Sequence, residues 1–163
     1  MRHTISIIVE NQFGVLSRVT GLFSGRGYNI ESLTVAPQDD KNFSRITIVT
    51  TGDDAVVEQI TKQLHKLINT LKVTDLTNED HVERELMLVK ISCNSTATRS
   101  EILQIMDIFR GKTVDVGMKS ITIEVTGAEE KVNAFLDMVR PFGIKEMVRT
   151  GKVAMLRGQK PGI

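Results

Sequence analysis

The sequence contains little of several residue types that mark particular protein classes. A single cysteine, Cys93, among 163 residues excludes an internal disulfide framework and any zinc site that needs several thiolates. There is no tryptophan and only one tyrosine, so aromatic platforms for stacking nucleic-acid bases are scarce. Basic side chains number 21 and acidic ones 20, for a net charge of +1. This balance argues against a nucleic-acid binder, which normally carries a basic excess.

Long apolar runs are also missing. No stretch approaches the roughly 18 apolar residues that a membrane-spanning helix needs. The first residues, 1–4, lead directly into an alternating segment, without the apolar core and small-residue cleavage site of a secretory signal. We therefore expect a cytoplasmic protein that has no membrane partner.

The first half of the sequence alternates between strand and helix patterns. The whole chain has a hydrophobic content of 40% and a charged content of 25%, which are those of an ordinary globular protein. Period-two and β-branched segments predict strands, and apolar residues at helical spacing predict two helices between them. The predicted order is β-α-β-β-α-β, with strands at 2–10, 28–36, 44–51 and 71–76 and with the apolar stripes of two helices over residues 15–23 and 57–68.

The second half repeats this order. The polar segment 77–84 is a candidate linker, after which residues 85–93 again alternate as a strand. Thr98 and Glu101 fit a capping box at the start of the next helix. Two such units in tandem predict an α+β protein with two ferredoxin-like βαββαβ domains. The expected domains are 1–76 and 85–163, separated by the linker.

The residues offer no combination that is typical of an active site. His3, His65 and His81 do not stand at metal-ligand spacing with one another or with Cys93. The Asp39-Asp40 and Asp53-Asp54 pairs are better explained by turn and helix-cap chemistry. Cys93 is expected to be a small buried residue. We therefore expect no catalytic residue and no metal site in this chain.

One segment, residues 11–18, is suited to a small ligand. Gly14 lets the backbone approach a ligand closely, and the N-terminus of the following helix suits a carboxylate. The Asn11 amide can bind both an ammonium group and a carboxylate, so the segment fits an α-amino acid. A second asparagine, Asn29, begins the second strand and is able to meet the first turn of a neighbouring copy. The same residues are also common in an ordinary turn, so the pattern alone leaves both interpretations open.

Several segments of the sequence resemble those of a known family. Residues 10–37, ENQFGVLSRVTGLFSGRGYNIESLTVAP, resemble the signature of the acetolactate synthase (acetohydroxyacid synthase) small regulatory subunit. Further matching segments lie at residues 44–48, 63–67, 83–90 and 108–111. The first half resembles an ACT domain, the amino-acid-sensing form of the ferredoxin-like fold.

The resemblance implies a regulatory subunit that has no catalysis of its own. It implies a large catalytic subunit as partner, which carries thiamine diphosphate, Mg²⁺ and FAD and is activated by the small subunit. The holoenzyme condenses two pyruvates to 2-acetolactate in valine, leucine and isoleucine biosynthesis. The implied allosteric ligand is valine or a related branched-chain amino acid, which inhibits the enzyme by feedback.

The resemblance also implies which residues bind the effector. ACT domains of two copies pair in a homodimer, and valine lies at their interface. One copy contributes Asn11, Gly14, Val15 and Leu16, and the other contributes Asn29 and Ile30.

Two other functions fit the sequence less well. An RNA-binding protein of the same topology needs exposed aromatics on its central strands, but residues 44–51 contain none. A small standalone enzyme needs a catalytic cluster, and the sequence shows none.

Overall fold

The computed structural model describes residues 1–158, so residues 159–163 at the end of the expected second domain lie outside the described residues. The chain forms two compact units, one of Met1–Val82 with residues 152–158 and one of Glu83–Gly151. Each unit has the element order β-α-β-β-α-β on an antiparallel sheet. The prediction of an α+β protein with two ferredoxin-like units is therefore confirmed.

The first unit is built on a four-stranded sheet in the order β2-β3-β1-β4. Strand β1 occupies the interior, paired antiparallel to β3 on one side and to β4 on the other. Strand β2 lies at one edge and pairs antiparallel to β3. The elements are β1 (Arg2–Glu10), α1 (Val15–Gly25), β2 (Ile30–Pro37), β3 (Phe43–Thr51), α2 (Asp54–His65) and β4 (Thr70–Asp75).

The two helices of this unit cover one face of the sheet. Alternate residues of β1 and β3 contribute isoleucine side chains to the buried cluster, because successive side chains of a strand point to opposite faces. The helices contribute residues at spacings of three and four, which lie on one helical face. The buried cluster consists of Ile5, Ile7, Val9, Val15, Val19, Phe23, Ile46, Ile48, Val57, Ile60 and Leu64.

The second unit repeats the arrangement with its own buried cluster. Its sheet has the order β6-β7-β5-β8, and a last strand, β9, also pairs with β5. Cys93 is 1% exposed and belongs to the cluster, as predicted. The elements are β5 (His81–Ser92), α3 (Thr96–Ile108), β6 (Lys112–Val116), β7 (Ser120–Gly127), α4 (Glu129–Val139), a 3₁₀ turn (Arg140–Phe142) and β8 (Ile144–Arg149). Strand β9 (Val153–Leu156) lies among the residues that group with the first unit.

Two details differ from the patterns in the sequence. The helix cap predicted at Thr98 is wrong, because α3 begins at Thr96 and the side chain of Ser95 accepts the Thr98 N–H at 3.1 Å. Strand β5 begins at His81, inside the expected linker.

Residues 152–158 group with the first unit, where Arg157 donates its backbone N–H to the Asp80 carbonyl at 2.9 Å. This grouping follows contacts in space, whereas the boundaries at 76 and 85 follow the repeated sequence pattern.

No helix in residues 1–158 is both long enough and apolar enough to cross a membrane.

Candidate functional site

The turn between β1 and α1, with the first residues of α1, carries four of the six residues expected to bind a ligand, Asn11, Gly14, Val15 and Leu16. Gly14 is the N-cap of α1 and has φ 80°, a left-handed conformation that favours glycine. A Cβ built at Gly14 meets no atom within 4 Å, so the turn is open where a ligand would approach. Among the four α-helices of residues 1–158, α1 alone begins with neither a capping side chain nor an acidic first turn. The first-turn N–H groups of Leu16 and Ser17 therefore suit an external carboxylate.

Asn11 is held at the surface by the loop between β2 and β3. Its backbone N–H donates to the Asn42 carbonyl at 2.7 Å, and its Nδ2 donates to the Lys41 carbonyl at 2.9 Å. Within residues 1–158 the amide oxygen of Asn11 accepts no hydrogen bond. That oxygen is the atom which suits an ammonium group.

Val15 and Leu16 differ in what they offer to a ligand. Val15 is 4% exposed and packs into the core of the first unit. Its backbone N–H donates to the Gln12 carbonyl at 3.3 Å. Leu16 is 39% exposed on the outer side of the first helical turn. Of these two neighbours, Leu16 is the one whose side chain is accessible for apolar contact.

Asn29 and Ile30 lie at the other end of the sheet. Ile30 pairs with Thr50 of β3, and the Thr50 hydroxyl donates to the Asn29 carbonyl at 2.6 Å. At the opposite end of β3, Phe43 pairs with Glu10, the residue before Asn11. Residues 43 and 50 on β3 are about 23 Å apart at the usual rise of ~3.3 Å per residue. One copy of the chain therefore does not bring the two halves of the expected site together.

Sequence analysis missed one residue at this turn, Asn69. It lies between α2 and β4 and is 8% exposed. Its side chain accepts a hydrogen bond from Arg18 at 2.7 Å and donates one to Glu10 at 2.6 Å. An asparagine between a helix and a strand has the appearance of a turn residue, so nothing local in the sequence distinguishes it.

Two clefts of the first unit are lined by other residues. One, of about 310 Å³, is lined by Thr34, Gln38, Arg45 and neighbouring residues, and another, of about 460 Å³, lies beside α2. In the second cleft His3 is 2% exposed, with Nδ1 3.6 Å from an Asp75 oxygen and Nε2 3.8 Å from an Asp54 oxygen. Across the described part of the chain, no three histidine, cysteine or acidic side chains group as a metal ion would require.

Comparisons with known proteins assign this arrangement to a family. A family model described as an AHAS small subunit-like ACT domain matches residues 5–72. A second model, described as the small subunit of acetolactate synthase, matches residues 84–158. The acetolactate synthase small subunit of Aquifex aeolicus is 55% identical over 156 residues, which cover 96% of this chain and 81% of that protein. The chain belongs to the acetolactate synthase small subunit family.

Other members of the family agree with this assignment. The acetolactate synthase isozyme 3 small subunit of Salmonella typhimurium is 50% identical over 161 residues, 98% of each chain. The crystal structure of the acetolactate synthase small subunit from Thermotoga maritima matches with a TM-score of 0.87 at 41% identity, covering 97% of this chain and 98% of that one. The resemblance identified in residues 10–37 is thereby confirmed, and the first unit is an ACT domain of the small subunit type.

Proposed function

We propose that this small subunit activates a thiamine-diphosphate-dependent catalytic subunit of acetolactate synthase and makes it sensitive to feedback inhibition by valine. The observation that carries the proposal is the register of the first sheet. It separates Asn11 and Gly14 from Asn29 and Ile30 by the length of β3. A site that uses both groups needs two copies of the chain.

Edge strand β2 is suited to join the two copies. It spans Ile30–Pro37 at the edge of its sheet, and an edge strand is a template for pairing with a second strand. In an antiparallel pair of β2 strands around a two-fold axis, the Ile30 end of one copy meets the Pro37 end of the other. Pro37 pairs with Ser44, next to the turn that carries Asn11. The homodimer would thus complete two identical sites.

The chemistry of each group matches one part of a branched-chain amino acid. The uncapped N-terminus of α1 is suited to the α-carboxylate. The amide oxygen of Asn11 and the side chain of the partner's Asn29 are suited to the α-ammonium group. Leu16 is suited to the aliphatic side chain of the ligand. Val15 contributes through the core that supports the helix.

Inhibition follows if valine favours one arrangement of the dimer. A ligand bound between two copies stabilises the arrangement whose spacing fits it. If that arrangement supports the catalytic subunit poorly, activity falls as its population rises. The ratio of valine's affinities for the two arrangements sets the largest shift in their equilibrium. Such coupling between sites typically amounts to ~1–3 kcal/mol.

Mixing two variants tests the shared site directly. Asn11→Ala and Asn29→Ala chains should each bind valine weakly in calorimetry. A dimer of one chain of each kind keeps one site with both asparagines and one site with neither. After unfolding and refolding an equal mixture, about one quarter of the sites should bind valine with the original affinity. No recovery on mixing would contradict a site shared between copies.

Reconstitution with the catalytic subunit tests activation and inhibition. We expect the small subunit to raise acetolactate formation and valine to reduce it, with alanine as the inert control. Leucine and isoleucine provide the comparison between branched-chain effectors. A complex whose activity does not change with the small subunit would contradict the proposal.

A further inference from the structure

Asn69 connects the turn after α2 to the turn before α1. Its Oδ1 accepts a hydrogen bond from an Arg18 guanidinium N–H at 2.7 Å. Its Nδ2 donates to Glu10 at 2.6 Å and to Gln12 at 3.5 Å. Its backbone carbonyl also accepts the Glu10 N–H at 2.9 Å. A single residue thus bonds to three side chains on both sides of Asn11 and Gly14.

A side-chain amide suits the partners that surround position 69. Its oxygen meets a cation and its nitrogen meets a carboxylate, so each end has a partner of the right kind. A carboxylate in its place would face Glu10 without a proton to donate. Because Asn69 is 8% exposed, water does not readily replace a lost partner.

The β1–α1 turn is held from outside by Asn69 and by the hydrogen bonds of Asn11 with the loop between β2 and β3. Gly14 has no side chain that could fix the turn, and no side chain caps α1. Glu10 ends β1 and Arg18 lies one helical turn after Gly14, so these two of the three residues bonded to Asn69 flank residues 11–17. We propose that Asn69 is a positioning residue for effector binding, which holds the β1–α1 turn in the conformation that receives the amino acid. This inference rests on the proposed function, since it assigns the origin of effector affinity at the same site.

An exchange of side chains tests the role of the hydrogen bonds. Asn69→Asp keeps the acceptor for Arg18 and removes the donor for Glu10, so valine affinity should fall about tenfold, the equivalent of one buried hydrogen bond. The double variant Glu10→Gln/Asn69→Asp restores a donor opposite an acceptor. It should recover valine affinity to within about threefold of the parent chain. Asn94→Asp, at an exposed position of the second unit, is the matched control.

The experiment uses the full chain with calorimetric titration of valine. Amide exchange at Val15 and Arg18, whose N–H groups donate to the Gln12 and Gly14 carbonyls, is a second readout. Asn69→Asp should speed exchange at both amides before any ligand is added, and the double variant should slow it again. If Asn69→Asp does not fold, Arg18→Leu is the alternative, because it removes the Arg18–Asn69 hydrogen bond by changing an exposed side chain. Its loss of valine affinity should be smaller than the tenfold loss expected for Asn69→Asp.

The outcomes separate this inference from the proposed function. Parent-like valine affinity in Asn69→Asp, or a loss that the double variant does not recover, overturns the role of Asn69. A parent chain that binds no branched-chain amino acid, alone or with the catalytic subunit, refutes the proposed function and the role of Asn69 with it. The second failure can be recognised because the parent chain itself shows no binding of a branched-chain amino acid.

Discussion

Arg149 donates two hydrogen bonds to the Glu85 carboxylate. The Arg149 Nε lies 2.5 Å from Glu85 Oε1, and a terminal guanidinium nitrogen lies 3.0 Å from Oε2. Glu85 is 7% exposed, so its carboxylate has lost most of its water. The fork geometry of arginine matches both carboxylate oxygens and replaces that solvation.

Removing this arginine should be costly. Arg149→Met leaves the Glu85 carboxylate buried without a cation, and we expect a loss of about 3 kcal/mol in the free energy of unfolding. The control is Lys90→Met, which breaks a 3.3 Å ion pair with Glu146 on the same sheet. That pair is solvent-accessible, so its loss should change stability by less than ~1 kcal/mol. Urea unfolding of the two variants measures the difference, and equal losses would contradict the argument.

Substitutions at Gly14 should separate the effect of backbone strain on valine inhibition from the effect of an added negative charge. Gly14→Ala places a side chain at φ 80°, which costs about 1 kcal/mol, but its Cβ meets no neighbour. Gly14→Asp adds a negative charge beside the proposed carboxylate position. We expect Gly14→Asp to lose valine inhibition in the reconstituted enzyme while activation persists, with Gly14→Ala intermediate. Gly27→Ala, at another left-handed glycine, is the strain control. Unchanged inhibition in Gly14→Asp would remove Gly14 from the site.

The pKa of Glu58 should depend on Lys62, its ion-pair partner on α2. The Lys62 ammonium lies 2.6 Å from the Glu58 carboxylate, and this hydrogen bond, with the attraction between the charges, lowers the pKa of Glu58. A lowered pKa stabilises the fold above the pKa of the unfolded chain, and this contribution is lost as pH falls through the folded value. Lys62→Met should therefore raise the pKa of Glu58. Carboxyl chemical shifts followed by NMR against pH measure this change, and an identical titration in both proteins would contradict it.

The cap of α3 should depend on Ser95. Its side chain accepts the Thr98 N–H, so Ser95→Ala should destabilise the second unit by about 1 kcal/mol. Ser100→Ala changes the same side chain inside the helix at an exposed position and should leave stability equal or slightly raised. Thermal unfolding of both variants distinguishes them. A larger loss in Ser100→Ala would place the cap elsewhere.

Much of the fold was predictable because its signals are local. The period-two pattern of β1 and the helical spacing of Val15, Val19 and Phe23 each depend on neighbouring residues, and the structure has both elements there. The sequence predicted the wrong capping residue for α3 because Ser95 and Thr98 both have hydroxyls that are suited to capping. Which hydroxyl caps the helix depends on where the backbone leaves the extended conformation, and in the structure Ser95 is still extended.

The amino-acid sequence by itself determined two βαββαβ units, the family to which they belong and the glycine turn at the start of α1. These follow from short-range periodicity, from residue chemistry and from the motif in residues 10–37. Only the tertiary structure decided that Asn11 and Asn29 lie at opposite ends of one sheet, and that Asn69 bonds to Glu10 and Arg18. Strand register and contacts across long loops arise from packing the whole sheet against its helices, so no local pattern contains them.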